Sequence, residues 1–144
     1  MSANNPSLES RVQQLRTARN RLLQLHQALL EFERGLYEKS HGPIRSRGEY
    51  FQLVISHDWF SWLRPISQYI VQVDESLEAK QPITHDQASR LLAEAYQMLR
   101  PLEEGTTLQK RYFEAIQCNP DIAFMHAELA QILNSNQSDR NTAN

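Results

Sequence analysis

The sequence predicts an all-α protein, folded as one antiparallel up-down-up-down helical bundle with two long N-terminal helices and a broken fourth. Three observations lead there. Five leucines, at 8, 15, 22, 29 and 36, stand seven residues apart. At three candidate helix starts a serine or threonine precedes a glutamate or glutamine by three positions, the pattern that satisfies free amides at a helix N-terminus. Only four glycines occur in 144 residues, which argues against β-rich folds and glycine-loop nucleotide sites.

The first helix runs from about 7 to 39. Ala18, Leu25 and Phe32 follow three of the leucines by three residues, completing the 3–4 spacing of a helical stripe. Ser7 is the expected N-cap, and Ser40-His41-Gly42-Pro43 the stop. Ser46 and Glu49 open the second helix. Its apolar positions Phe51, Val54, Ile55, Trp59, Trp62, Leu63, Ile66, Ile70, Val73 and Leu77 keep helical spacing to about residue 79. Pro65 lies inside this run, so the expectation is one long helix disturbed between 56 and 65, with Asp58 as the alternative cap of a segment beginning at Trp59.

Thr84 and Gln87 open the third helix, which carries Leu91, Leu92, Ala95, Met98, Leu99 and Leu102 and closes at Gly105. Thr106 and Gln109 start the fourth. Asn119-Pro120 reads as a cap followed by a first helical residue, so this helix breaks and resumes through Ile122, Met125, Leu129, Ile132 and Leu133. Residues 7–134 form the expected single domain. Residues 1–6 and the polar tail 135–144 have nothing to bury and are expected to be disordered.

Charge supports the antiparallel arrangement of the first pair. Between Glu9 and Glu31 the first helix bears Arg11, Arg16, Arg19 and Arg21 and no acid, and counting back from the loop near 43 sets this stretch beside Asp74, Glu75 and Glu78. The arginines point in several directions, so they form no nucleic-acid stripe, and a net charge of −2 gives no bulk attraction to phosphate. No apolar run approaches the ~20 residues of a membrane helix, and the first residues lack the features of a secretory signal, so neither nucleic acid nor membrane is an expected partner and a cytoplasmic location is the default. The single cysteine, Cys118, cannot pair within the chain, which fits a reducing compartment.

Two candidate sites emerge. His26 and Glu33 flank the leucine stripe, and counting from the first loop sets His57 and Asp58 opposite residues 29–33; an imidazole and carboxylate set of this kind suits zinc, iron or manganese. The plainer reading, that Asp58 caps a helix and the histidines make ordinary hydrogen bonds, is preferred, and no cofactor is required. The tripeptide Leu-Arg-Pro occurs at 63–65 and again at 99–101, at similar distances from the loop near 82. Each proline frees a carbonyl, at Ser61 and Gln97, and two kinks at one height would open a cavity. There Arg64 and Arg100, with His57 and Asp58, form a candidate site for a carboxylate or phosphate. Trp59 and Trp62 share a face with Ile66 and are expected in the core; Phe60 then points away, towards a partner surface. Cys118 and His126 carry no spacing that unites them as nucleophile and base.

Residues 112–121, Tyr-Phe-Glu-Ala-Ile-Gln-Cys-Asn-Pro-Asp, are similar to the end of a tetratricopeptide repeat, but one period of ~34 residues earlier neither the alanine nor the proline returns, and that architecture is set aside. The stretch His57-Asp58-Trp59-Phe60-Ser61-Trp62-Leu63-Arg64-Pro65-Ile66-Ser67, followed by Ile70, Asp74 and Glu75, resembles an uncharacterised family of small bacterial all-helical proteins. The resemblance implies a cytosolic bacterial bundle and no activity. The expectation is a non-enzymatic protein acting through self-association, as a homodimer, or through protein binding. The alternative is a metal- or small-anion-binding bundle with hydrolytic activity.

Overall fold

The computed structural model describes residues 7–142, with side chains to Asn134. Within them the chain forms six α-helices and one 3-10 helix, with no strand, so the fold is all-α. The expected disorder of residues 1–6 lies outside the described residues.

Helix α1 (Leu8–His41) covers the whole leucine repeat. The Ser7 hydroxyl accepts from the Ser10 amide at 3.0 Å, and the chain leaves the helix at Gly42. There φ is +85°, a left-handed conformation that costs a residue with a Cβ. The Gly42 amide still reaches the Glu38 carbonyl at 2.9 Å, so the last turn is closed.

The second long helix does not form. In its place stand α2 (Arg47–Ser56), a 3-10 helix (Asp58–Leu63) and α3 (Arg64–Glu78). The break comes at His57, whose backbone is extended. Pro65 falls in the first turn of α3, where a missing N–H has no helical partner to lose; it starts a helix rather than bending one. Pro101 likewise stands beyond α4 (His85–Met98), which ends four residues short of the expected Leu102. Helix α5 (Thr107–Cys118) and α6 (Pro120–Thr142) are separated at Asn119, whose side chain accepts from the Asp121 amide at 2.9 Å. The Thr84–Gln87 and Thr106–Gln109 capping boxes close in both directions. At Ser46 only half of the box forms, because the Glu49 carboxylate takes the Arg45 amide. The helical backbone of α6 runs on to Thr142, through polar residues expected to lack structure; their side chains lie outside the described residues.

Helix α1 is the hub, with α6, α4 and α3 all lying against it. Leu15, Leu22, Leu25 and Leu29 are buried, as are Ile66 and Val73 of α3, Leu92 of α4 and Ile122 and Leu129 of α6. The two outer leucines of the repeat, Leu8 and Leu36, are exposed. Arg19 donates from Nε and Nη2 to the two carboxylate oxygens of Asp74, at 2.9 and 2.8 Å. This is the pairing that the charge pattern predicts between the first helix and residues 74–78. Arg21 turns instead to Glu128 on α6, at 3.4 Å. Gln14 donates to the Ile132 carbonyl at 2.8 Å, and the buried Tyr69 hydroxyl donates to the Leu91 carbonyl, tying α3 to α4. Among the described residues no helix is long and apolar enough to cross a membrane.

Candidate functional site

The break at His57 organises everything around it. The His57 imidazole caps the 3-10 helix: Nδ1 accepts from the Trp59 amide at 3.0 Å. Asp58, the cap expected from sequence, leaves that role to its neighbour and is exposed; its carbonyl accepts from Ser61 Oγ at 2.7 Å. Arg64 reaches back from α3 and donates through Nη2 to the His57 carbonyl at 3.0 Å. Tyr37 and His41 of α1 stack with centroids 4.3 Å apart, and Trp59 meets both rings edge-on at 5.5–5.6 Å. The hinge is thus clamped by aromatic contacts and one arginine.

The expected metal set is dispersed over this scaffold. His26 is half-buried and opens into a groove of about 260 Å³ between α1 and α2, shared with Phe51, Val54, Ile55 and Arg64. Burial lowers its pKa from the ordinary histidine value. Glu33 lines a different cavity, of about 490 Å³, together with Trp59, Arg111 and Cys118. It is only 4% exposed. Burial raises its pKa, opposed by the Arg111 charge and by the indoles of Trp59 and Trp62. Neither indole N–H, nor Oε2 of Glu33, completes a hydrogen bond of good geometry. Among the described residues no three histidine, cysteine, aspartate or glutamate side chains are grouped to hold a metal ion.

The anion set divides in the same way. Arg64 belongs to the His26 groove, whereas Arg100 lines a pocket of about 300 Å³ between the end of α4 and α6. A cavity of about 560 Å³ does lie where the two Leu-Arg-Pro tripeptides were expected to meet. Ser61, Pro65, Gln97 and Gln109 line it, but neither arginine does. The Gln97 carbonyl is not left free, because Gln109 Nε2 donates to it at 2.8 Å.

Two features escaped the sequence reading. The first is the surface of α2. Phe51 and Ile55, counted above among the inward positions, are 64% and 49% exposed, and α2 buries no residue at all. Phe60, expected to point away, is fully buried between Tyr37 and Tyr50. The two reversals have one cause: the turn at His57 rotates α2 out of the register that a continuous helix would have kept.

The second feature is a pair, the buried Tyr112 of α5 and the half-buried His126 of α6, with the hydroxyl 2.8 Å from Nδ1. The residues lie at equal distances on either side of Asn119, so folding the broken fourth helix into a hairpin would have found them. Cys118 opens towards Glu33 and His126 towards Arg100, so the two line separate cavities.

Comparison of the chain with protein-family models, with curated proteins and with solved structures gives no match, so the resemblance carried by residues 57–75 rests on those residues alone.

Proposed function

We propose that the protein acts through association, and that the occupant of the α2 surface is α2 of a second copy of this chain. The observation that carries this is the exposure of an apolar stripe, Phe51 and Ile55, on a helix that buries nothing in its own chain. A ten-residue helix with no buried face has little to stabilise it in isolation. Its structural support is the 3-10 helix beside it and the Arg34 guanidinium over the Tyr50 ring, 4.7 Å from the centroid. The neighbouring groove adds Val54 and Leu30 to the apolar surface.

Charge favours a second copy over a different partner. Arg47 stands at the start of α2 and Asp58 just past its end, both exposed. Neither side chain makes a hydrogen bond or ion pair among the described residues. Two copies of α2 crossing antiparallel about a twofold axis near residue 53 set Phe51 against Ile55 and bring the Arg47 end of each helix to the end of the other that Asp58 follows, twice over. An isologous contact requires this self-complementarity. Gly48, on the same face, has no bulk to oppose the approach.

Light scattering on the eluting protein tests the reading, with twice the chain mass expected. Phe51→Glu should give the single-chain mass without loss of helicity, because Phe51 is mostly exposed in the monomer. Arg47→Asp should weaken the dimer and Arg47→Asp with Asp58→Arg should restore it. A single-chain mass at all concentrations, or a dimer indifferent to Phe51→Glu, would refute the proposal.

A further inference from the structure

Beyond association, we infer that the pocket between the end of α4 and α6 binds a small monocarboxylic acid with a hydrocarbon body, held by Arg100 and His126. The inference starts with Tyr112, which has no exposed surface. Burial keeps its phenol protonated far past the ordinary range, so its O–H is available to donate to His126 Nδ1 across the 2.8 Å contact. A neutral imidazole that accepts at Nδ1 carries its proton on Nε2. Burial also disfavours the imidazolium, and with Nδ1 accepting from Tyr112 the neutral ring has its Nε2–H left to donate. It lines the pocket, and the Nδ1 bond to Tyr112 is the sole hydrogen bond its ring makes among the described residues.

Arg100 supplies the charge. Its side chain makes no hydrogen bond or ion pair among the described residues. Its backbone is well held: the amide reaches the Gln97 carbonyl at 3.4 Å, and Pro101 follows at once. The loop beyond is fixed by the contact of Gln109 with Gln97 and by the Leu102 amide on the Gln109 carbonyl. The arginine therefore projects from a braced turn.

The rest of the lining sets the class of ligand. Leu99, Leu102, Leu129 and Leu133 form an apolar wall, Tyr96 and Asn134 add neutral polar groups to the lining, and about 300 Å³ is the small end of ligand pockets. One guanidinium and one neutral N–H match a single carboxylate, the first pairing with it as a fork and the second donating to it. A phosphate dianion would keep uncompensated charge against leucine, which is costly. An alcohol of the same shape would leave the arginine unanswered.

Calorimetric titration of the full chain with hexanoate, hexanol and inorganic phosphate tests this. Hexanoate should bind, with hexanol and phosphate each weaker by about tenfold or more. Arg100→Gln should cost hexanoate about tenfold or more, while Arg90→Gln, at an exposed residue outside this pocket, should change nothing. Arg100 lies outside the core, so its substitution leaves the fold intact, and circular dichroism checks this. In NMR spectra hexanoate should shift the His126 ring and Leu102 amide signals saturably. Absence of hexanoate binding, binding that survives Arg100→Gln, or phosphate binding as tightly as hexanoate would each overturn the inference. None of these outcomes bears on the α2 surface, whose test is the mass of the assembly.

Discussion

Replacing Phe60 by alanine should cost about 3–5 kcal/mol of unfolding free energy, a large share of the ~5–15 kcal/mol that holds a domain together. The magnitude follows from its position. The ring is 0% exposed, with centroids 5.9 Å from Tyr37 and 6.2 Å from Tyr50. An aromatic side chain buries about 150–250 Å², and at ~25 cal/mol per Å² its complete removal from water is worth about 4–6 kcal/mol. Alanine retains a little of this, and the vacated space adds a penalty. Phe124→Ala is the control: the same chemistry at a residue 67% exposed, where the change should stay within ~0.5 kcal/mol. Urea unfolding of dilute protein, where association contributes little, would compare the midpoints at unchanged slope. The loss should also be local. Helix α2 leans on the 3-10 helix that contains Phe60, so hydrogen exchange of its amides should quicken far more than that of central α1. Equal costs for Phe60→Ala and Phe124→Ala, or undiminished protection of α2, would refute the reasoning.

Three further outcomes are expected. Asp74→Asn removes the carboxylate that receives Arg19 in two bonds; with the partners 26% and 37% exposed, the loss should be about 0.2–1 kcal/mol and shrink in high salt, measured by denaturation at two ionic strengths. Glu33 has a pKa raised by burial, so its ionised form opposes folding and its contribution improves as pH falls from the raised value towards 4.5. Glu33→Gln should therefore melt higher than the parent at pH 7, with the gap narrowing as pH falls towards 4.5. His26 and His126 have the opposite sign: their pKa values are lowered, so their contribution is complete above 6.5 and is lost as pH falls from 6.5 towards the lowered values. His26→Gln should flatten that acid-side loss in thermal melts between pH 7 and 5.

Helix positions were legible because their signals are local and periodic. The heptads of α1, the caps at Ser7, Thr84 and Thr106 and the restart at Asn119-Pro120 each speak through three or four neighbouring residues. The break at His57 was hidden for the same reason. The apolar spacing from Phe51 to Leu77 fits an unbroken helix, and the choice of the Trp59 amide by an imidazole is made in three dimensions. Pro65 marked the disturbance, but a proline at the start of a helix and one in its middle look alike in sequence. Counting heights along straight rods then failed at the site. With α2 turned aside, Glu33 looks onto Trp59 and Arg111 instead of joining His26 and His57. The Arg19–Asp74 pairing survived the count because the residues lie on α1 and α3, neither of which contains the break at His57.

The bond from Gln14 to the carbonyl of Ile132 spans 118 residues, and the seam between α1 and α6 that it marks sets a delay during synthesis. A ribosome adding 5–20 residues per second needs about 6–24 s to travel from one side of that seam to the other. Throughout that interval the leucines of α1 emerge without the surface that finally covers them. Nascent chains stalled before Pro120 should therefore be clients of holdase chaperones, whereas chains that have released Leu133 should not.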